Sequence, residues 1–77
     1  MDNNAIAQKI IEANAHLHPD GLVRPLEAAE IVRMSPKTLA TMRSRGGGPP
    51  AIKSGRRIYY PLDELATWFA DRTVQKR

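Results

Sequence analysis

Residues 34–61 read MSPKTLATMRSRGGGPPAIKSGRRIYYP, and this stretch carries the strongest structural signals of the 77-residue chain. Ser35 and Pro36 are typical of a helix start, because the serine hydroxyl can cap a free backbone N–H and proline fixes φ where no donor is missed. The run GGGPP, residues 46–50, ends a helix. The stretch therefore predicts a helix over residues 36–45, followed by a separate element.

That next element is predicted to be a β-hairpin, from AIKSGRRIYYP at residues 51–61. Two short strands flank Ser54-Gly55, where glycine can supply the positive φ of a tight turn. Alternation along the second strand places Ile58 and Tyr60 on one face, and Arg57 and Tyr59 on the other.

A short helix is predicted immediately upstream, in RPLEAAEIVRM at residues 24–34. Pro25 suits the first helical turn, and Glu27 lies near the positive end of the helix dipole. Ala28, Ile31 and Val32 form its apolar face. The helix over residues 36–45 begins two or three residues after this one ends, so the two form a tightly connected pair.

Each end of the chain predicts one more helix. NNAIAQKIIEANAHL, residues 3–17, places apolar residues at helical spacing before HPDG breaks the chain; they are Ile6, Ile10, Ala13 and Leu17. A last helix starts at Pro61, with Asp63 and Glu64 in its first turn. Its apolar side comprises Leu62, Leu65, Trp68 and Phe69. Leu39, Met42, Leu65, Trp68 and Phe69 are predicted core residues, and the register of Trp68 favours packing over stacking on a base.

Charge is concentrated in the middle of the chain. Residues 33–60 contain seven Lys and Arg and no Asp or Glu, whereas residues 1–32 contain two basic and five acidic residues. The net charge of +4 therefore understates a local excess of +7, which indicates an anionic partner.

Composition excludes several classes of protein. The length predicts one domain, and the absence of cysteine excludes disulfides and thiolate metal sites. No apolar run approaches the roughly 18 to 20 residues of a membrane span. We expect a soluble, cytoplasmic protein without a membrane association.

Two short helices joined by a tight turn are the layout of a helix-turn-helix, whose second helix enters the DNA major groove. At 100° per residue, Lys37, Thr41 and Ser44 lie opposite Leu39 and are candidates for base contact. Thr38, Ala40 and Arg45 flank them. Arg43 lies on the Leu39 side, so its stem is expected to pack against the hairpin.

The hairpin would serve as a wing. Lys53, Arg56 and Arg57 lie at or beside its tip, with Ser54 in the turn. Three cations on a protruding turn suit phosphates or a narrow A·T-rich minor groove. Tyr59 is either exposed wing surface or a contact to the DNA backbone.

Residues 24–72 resemble the MerR-like winged-helix domain shared by phage and mobile-element excisionases and by AlpA-type regulators. The resemblance lies in EAAE at 27–30, SPKTL at 35–39 and GGGPPAIKSGRRIYYPLDELATWF at 46–69. It implies a mainly α fold with a small β-hairpin, a winged helix-turn-helix over residues 21–73. A recognition helix would open at Ser35, and the wing would carry Arg56 and Arg57 onto DNA. An extra N-terminal helix and linker (residues 1–20) and a tail (residues 74–77) lie outside the pattern.

The chain departs from this family at two positions. Arg24 stands where the family commonly has a capping Thr or Ser, which predicts a helix start without a side-chain cap, a loss of about 1 kcal/mol. Ala40 stands where a larger side chain is frequent, which leaves few base-reading groups. Recognition is therefore expected to depend on DNA shape and on neighbouring protomers.

Other kinds of site are not predicted. RGGGPP lacks the Lys-Ser/Thr of a phosphate-binding loop. His16 and His18 do not share a helical face, so no metal is expected. Asp63 and Glu64 are explained by the helix dipole. We predict no catalytic residue, no cofactor and no small-molecule ligand.

Three functions stay open at this stage. The first is an excisionase, or recombination directionality factor, of a bacterial or phage mobile element, which by resemblance binds side by side and bends nucleoid DNA near an attachment site to help a tyrosine recombinase. The second is an AlpA-type regulator at a promoter. The third is a winged helix that contacts protein through its N-terminal helix.

Overall fold

A computed structural model of the chain describes residues 3–75. Four helices, one 3₁₀ turn and three strands follow one another in this part of the chain: α1 (Asn3–Asn14), the 3₁₀ turn (Ala15–Leu17), β1 (Leu22–Val23), α2 (Pro25–Ile31), α3 (Pro36–Ser44), β2 (Ile52–Ser54), β3 (Arg57–Pro61) and α4 (Leu62–Gln75). The mainly helical fold with a small wing is confirmed. Helix α4 extends into the predicted tail as far as Gln75, and residues 76 and 77 of that tail lie outside the described residues, as do residues 1 and 2.

The sheet contains one strand more than the hairpin that the sequence predicts. Its order is β1-β3-β2, and both pairings are antiparallel. In β1, Leu22 lies opposite Pro61 and Val23 lies opposite Tyr60. A strand of two residues has no periodicity to reveal it, and only the tertiary pairing with β3 defines it.

The wing turn lies one residue later than predicted. Ser54 is the last residue of β2 and pairs with Arg57, so the two-residue loop is Gly55-Arg56. Gly55 has φ +61° and Arg56 is not among the positive-φ residues, the pattern of a type II′ turn with glycine at its first central position. Pro61 likewise ends β3, so α4 begins at Leu62 and not at the proline.

The segment between α1 and β1 is held by local hydrogen bonds. The Asp20 carboxylate accepts from the backbone N–H of Leu22 at 3.1 Å, and Gly21, with φ +75°, donates to the His18 carbonyl at 2.8 Å. The Gly21 carbonyl accepts from the N–H of Leu62 at 2.7 Å. The start of β1 is thereby fastened to the start of α4.

The main core joins the helix pair to the sheet. Its buried members come from β1, α2, the turn after α2, α3, β3 and α4: Val23, Ala28, Ala29, Val32, Leu39, Tyr60, Leu62 and Leu65. Trp68 and Phe69 are partly buried and pack against this cluster. The core predictions are therefore confirmed for Leu39 and Leu65, whereas Met42 is only half-buried, beside the backbone of Gly48.

Helix α1 packs against α4 through a second cluster. Ala7 of α1 and Ala66 and Ala70 of α4 are buried there, and these small side chains let the two helices approach closely. Ile6, Ile10 and Ile11 are partly buried around them. The N-terminal helix therefore folds onto the domain.

The predicted apolar face of α1 is partly wrong. Ala13 is exposed, and Leu17 is 64% exposed, whereas Ala7, which the spacing did not select, is buried at 6% exposure. For Leu17 the reason lies in the end of the helix: α1 stops at Asn14, and the 3₁₀ turn that follows rotates Leu17 out of line with the preceding face.

Helices α2 and α3 end in the same hydrogen-bond motif. After α2, the N–H of Arg33 donates to Glu30 and that of Met34 donates to Ala29, at 3.2 and 2.9 Å. After α3, Gly46 donates to Arg43 and Gly47 donates to Met42, at 3.1 and 2.8 Å. Both are Schellman motifs, which require a residue with positive φ after the helix.

The residue at this position differs between the two motifs. Gly46 has φ +84°, and Arg33 has φ +60°. A left-handed conformation costs a residue with a Cβ roughly 1–2 kcal/mol, and glycine adopts it without that cost. The turn between α2 and α3 is therefore the strained one.

Exchanging the residue types at these two positions should have opposite effects on stability. Arg33→Gly should raise the free energy of unfolding by about 0.5 kcal/mol, since relief of strain exceeds the added entropy of the unfolded chain. Gly46→Ala should lower it by about 1 kcal/mol through backbone strain alone, because a Cβ built there meets nothing within 4 Å. Urea unfolding followed by circular dichroism measures both. A loss of stability in Arg33→Gly would show that the arginine side chain itself stabilises the turn.

Candidate nucleic-acid interface

Helix α3 presents a polar face to solvent. Leu39 is its one buried side chain, at 1% exposure, and points into the main core. Lys37, Thr41 and Ser44, predicted on the opposite side, are all exposed. Thr38, Ala40 and Arg45 flank them and are exposed as well. The helical register that the sequence predicted is therefore the one observed.

The start of α3 is fixed by Ser35. Its hydroxyl oxygen accepts from the backbone N–H of Thr38 at 3.1 Å, and its O–H donates to the Thr38 hydroxyl oxygen at 2.8 Å. Pro36 occupies the first helical position. The predicted cap is confirmed, and both hydroxyl groups have a partner within the protein while remaining exposed.

The wing carries cations on both faces and at its tip. Arg57 pairs with Ser54 across the hairpin, while Lys53 pairs with Ile58, so Lys53 and Arg57 point to opposite faces. Arg56 lies in the turn itself. The four wing candidates, Lys53, Ser54, Arg56 and Arg57, are all exposed. Nothing in their local geometry prevents contact with a polyanion.

Sequence reasoning missed one contact beside the wing. The guanidinium carbon of Arg24 lies 5.4 Å from the centroid of the Tyr59 ring, a cation–π contact worth about 0.5–1 kcal/mol at an exposed site. Arg24 precedes α2 and makes no side-chain cap there, as predicted. Alternation along β3 puts Tyr59 on the same face as Arg57, but only the β1–β3 pairing brings Arg24 there.

A second arginine lies over an aromatic ring at the end of α4. The guanidinium carbon of Arg72 is 4.7 Å from the centroid of the Trp68 ring. Trp68 also contacts the main core. Its ring is therefore occupied on one side by protein and on another by Arg72, which supports the packing role predicted for it.

Within residues 3–75 no group of three or more His, Cys, Asp or Glu could hold a metal ion, and no helix is long and apolar enough to cross a membrane. The acidic pair Asp63 and Glu64 lies in the first turn of α4. There the Asp63 carboxylate accepts from the backbone N–H of Glu64 at 2.8 Å.

A known protein family matches the part of the chain that contains α2, α3 and the wing. The model of the Helix-turn-helix domain family, whose members are small DNA-binding domains of the excisionase and AlpA-like kind, matches residues 23–73. The chain belongs to this family. The match runs from β1 into α4 and leaves α1 outside, so α1 is an addition to the Helix-turn-helix domain. A search of curated proteins finds no match.

Membership of this family gives the domain a general role. A Helix-turn-helix domain binds double-stranded DNA, with its second helix in the major groove; here that helix is α3. Members of the family are typically not enzymes. The acid-free residues 33–60 comprise the turn between α2 and α3, helix α3 and nearly all of the β2–β3 hairpin of this DNA-binding domain.

Removal of the Ser35 cap should destabilise the Helix-turn-helix domain. Ser35→Ala leaves the N–H of Thr38 without its protein acceptor and should lower the free energy of unfolding by about 1 kcal/mol. Ser35→Asn, which restores a capping oxygen, should recover most of that loss. Urea unfolding of the three proteins provides the comparison, and equal midpoints for wild type and Ser35→Ala would contradict the role of the cap.

Proposed function

We propose that this Helix-turn-helix domain protein is an accessory factor of a mobile element, an excisionase or recombination directionality factor. It binds and bends DNA beside an attachment site and promotes excision by a tyrosine recombinase. The protein is encoded by a bacterium or a phage, and it acts on nucleoid DNA in the cytoplasm. It supplies DNA geometry, and the recombinase supplies the chemistry.

The observation that carries this proposal is an imbalance between the two DNA-facing elements. The outward face of α3 offers Lys37, Thr41 and Ser44 around the methyl group of Ala40. Among these side chains Lys37 alone is of a type that reads guanine, through its N7 and O6 acceptors, and none is the Asn or Gln that reads adenine. The wing, by contrast, exposes three cations within five residues, 53–57.

Such an interface favours phosphate contact and groove shape over base reading. Helix α3, which Ser35 caps, lies along the major groove and presents these side chains to it: Lys37, Thr38, Thr41, Ser44 and Arg45. Lys53, Ser54, Arg56 and Arg57 meet the backbone or a narrow A·T-rich minor groove, whose negative potential attracts arginine. A single protomer then has modest specificity, and several protomers side by side supply the rest.

Bending follows from the same arrangement. A recognition helix in one groove and a cationic wing in the next hold the duplex at two places, which favours curvature towards the protein. Bending a site by tens of degrees costs roughly 1–6 kcal/mol, which additional contacts must offset. Neighbouring protomers and the wing are the source of those contacts.

The protein-interaction alternative is weakened by the position of α1. That alternative needs the apolar face of α1 to enter a groove of a partner, but Ala7 is already buried against Ala66 and Ala70 of α4. The same helix cannot present this face twice. The regulator alternative shares the fold and every contact, so it is decided by where the protein binds.

The wing should determine the salt dependence of DNA binding. Arg56→Ala removes a cation at the tip and should flatten the plot of log K against log salt by about 0.9 if one phosphate contact is lost. Lys9→Ala, an exposed cation on α1, is the matched control and should leave the slope unchanged. Fluorescence anisotropy with a labelled duplex between 50 and 200 mM salt measures both, on the salt scale over which such contacts are resolved. Identical slopes for wild type and Arg56→Ala would exclude the wing from the interface.

The genomic position of the binding sites tests the proposed role. Purified protein is incubated with sheared DNA from its source organism at moderate salt, and the bound fragments are sequenced. Enrichment over several adjacent helical turns beside an integrase attachment site is expected, together with slowed gel migration that depends on the position of the site within the fragment. A single peak at a promoter would favour the regulator, and uniform recovery would contradict specific recognition.

A further inference from the structure

We infer that Arg24 is a further DNA-contacting residue, held over the ring of Tyr59 so that its guanidinium is ready to bind a backbone phosphate. The inference rests on the proposed function, since it extends the same DNA-facing surface. Arg24 stands where the resembled family commonly has a capping Thr or Ser, and the inference gives this arginine a role. Tyr59 becomes a positioning residue.

Strand pairing explains how Arg24 reaches the wing. Val23 pairs with Tyr60, and Arg24 is the next residue along the chain. The Tyr60 side chain is 1% exposed and points into the core, so that of Tyr59 points to the opposite face of the sheet. Arg24 leaves β1 beside that face, and its guanidinium carbon lies 5.4 Å from the Tyr59 ring centroid.

The result is a row of groups along the outer face of the wing strand. Arg57 and Tyr59 are two residues apart on β3 and share a face, with about 6.6–6.8 Å between successive Cα positions on that face. Arg57 lies on the turn side of Tyr59, and Arg24 lies over the ring. This face therefore carries the guanidinium groups of Arg24 and Arg57 and the phenol ring of Tyr59. The row begins at the wing tip, where Arg56 and Arg57 were already predicted to bind DNA.

The stacking of Arg24 on Tyr59 favours phosphate binding by Arg24 over a purely structural role. A guanidinium that lies over a ring uses its face, and the N–H donors around its edge remain available for bidentate contact with phosphate oxygens. The ring also restricts a side chain that would otherwise lose rotamer freedom on binding, so less entropy is lost when DNA arrives. Arg24 is exposed and Tyr59 is half-buried, so the cation faces solvent and the ring supports it.

The competing explanation is that the contact only ties α2 to the sheet. It predicts that a change at Arg24 alters the stability of the fold and leaves the electrostatics of binding alone. A phosphate contact predicts the reverse: weaker binding to every duplex alike, and a shallower salt slope. The slope therefore separates the two explanations.

The main test is Arg24→Gln, which keeps a long side chain and a planar group over the ring but removes the charge. Binding to a labelled duplex is measured by anisotropy between 50 and 200 mM salt, with urea unfolding of each variant alongside. Arg24→Gln should weaken binding about tenfold at the lower salt. It should also flatten the slope by about 0.9, equally for the mapped site and for a scrambled duplex. Arg24→Ala provides the same readout should glutamine make a new contact.

Two controls define the result. Arg72→Ala removes the other stacked arginine, 4.7 Å from the Trp68 ring on α4, and should leave both affinity and slope within twofold of wild type. Tyr59→Phe keeps the ring and should bind as wild type, whereas Tyr59→Ala should weaken binding with an unchanged slope, because the charge of Arg24 remains while its support is gone.

Three outcomes decide the matter. A loss of affinity and slope in Arg24→Gln, absent in Arg72→Ala, supports the inference. Unchanged slope in Arg24→Gln, with weakened binding in Arg56→Ala, overturns the inference and leaves the proposed function standing. Unchanged binding in both variants overturns the proposed DNA interface itself, and the inference with it.

Discussion

The structure depends on where strand β3 lies. It is the central strand of the sheet, with β1 on one side and β2 on the other, and it continues directly into α4. Among the described residues Tyr60 of β3 is the largest fully buried side chain, and it lies opposite Val23 of β1. Pairing with β1 fixes where α2 starts and pairing with β2 fixes the wing, while the buried face of β3 belongs to the same core cluster as α2 and α3. Displacement of β3 by one residue would turn Tyr60 outward and Tyr59 inward, and every contact above would change.

Local signals let the sequence predict α3 and the wing, the two elements that we propose to face DNA. Ser35-Pro36 set the start of α3, and the glycines after it set its end, so the exposed face of that helix followed from 3.6-residue periodicity alone. The wing was predictable because alternation and a glycine turn act over a few residues. These signals act between neighbouring residues, so they do not depend on contacts with the rest of the chain.

What the sequence did not predict comes from contacts between distant residues. Strand β1 exists because Leu22 and Val23 meet Pro61 and Tyr60, and its two residues have no pattern of their own. The buried face of α1 differs from the predicted one because Ala7 packs closely against Ala66 and Ala70. Hydrophobicity alone favours burial of the larger Leu17. Arg24 was read as a missing cap, which it is, but its partner Tyr59 lies 35 positions further along the chain.

Few features hold α3, the proposed recognition helix, in its place in the fold. Helix α3 has nine residues, fewer than an isolated helix needs for stability in water, and it buries one side chain, Leu39. Its position otherwise depends on the Ser35 cap, on the strained turn at Arg33 and on the Schellman motif at Gly46. In the proposed complex DNA contacts this helix in the folded state alone, so binding would stabilise it by mass action. In the proposed assembly, a row of protomers along a bent duplex would share that stabilisation.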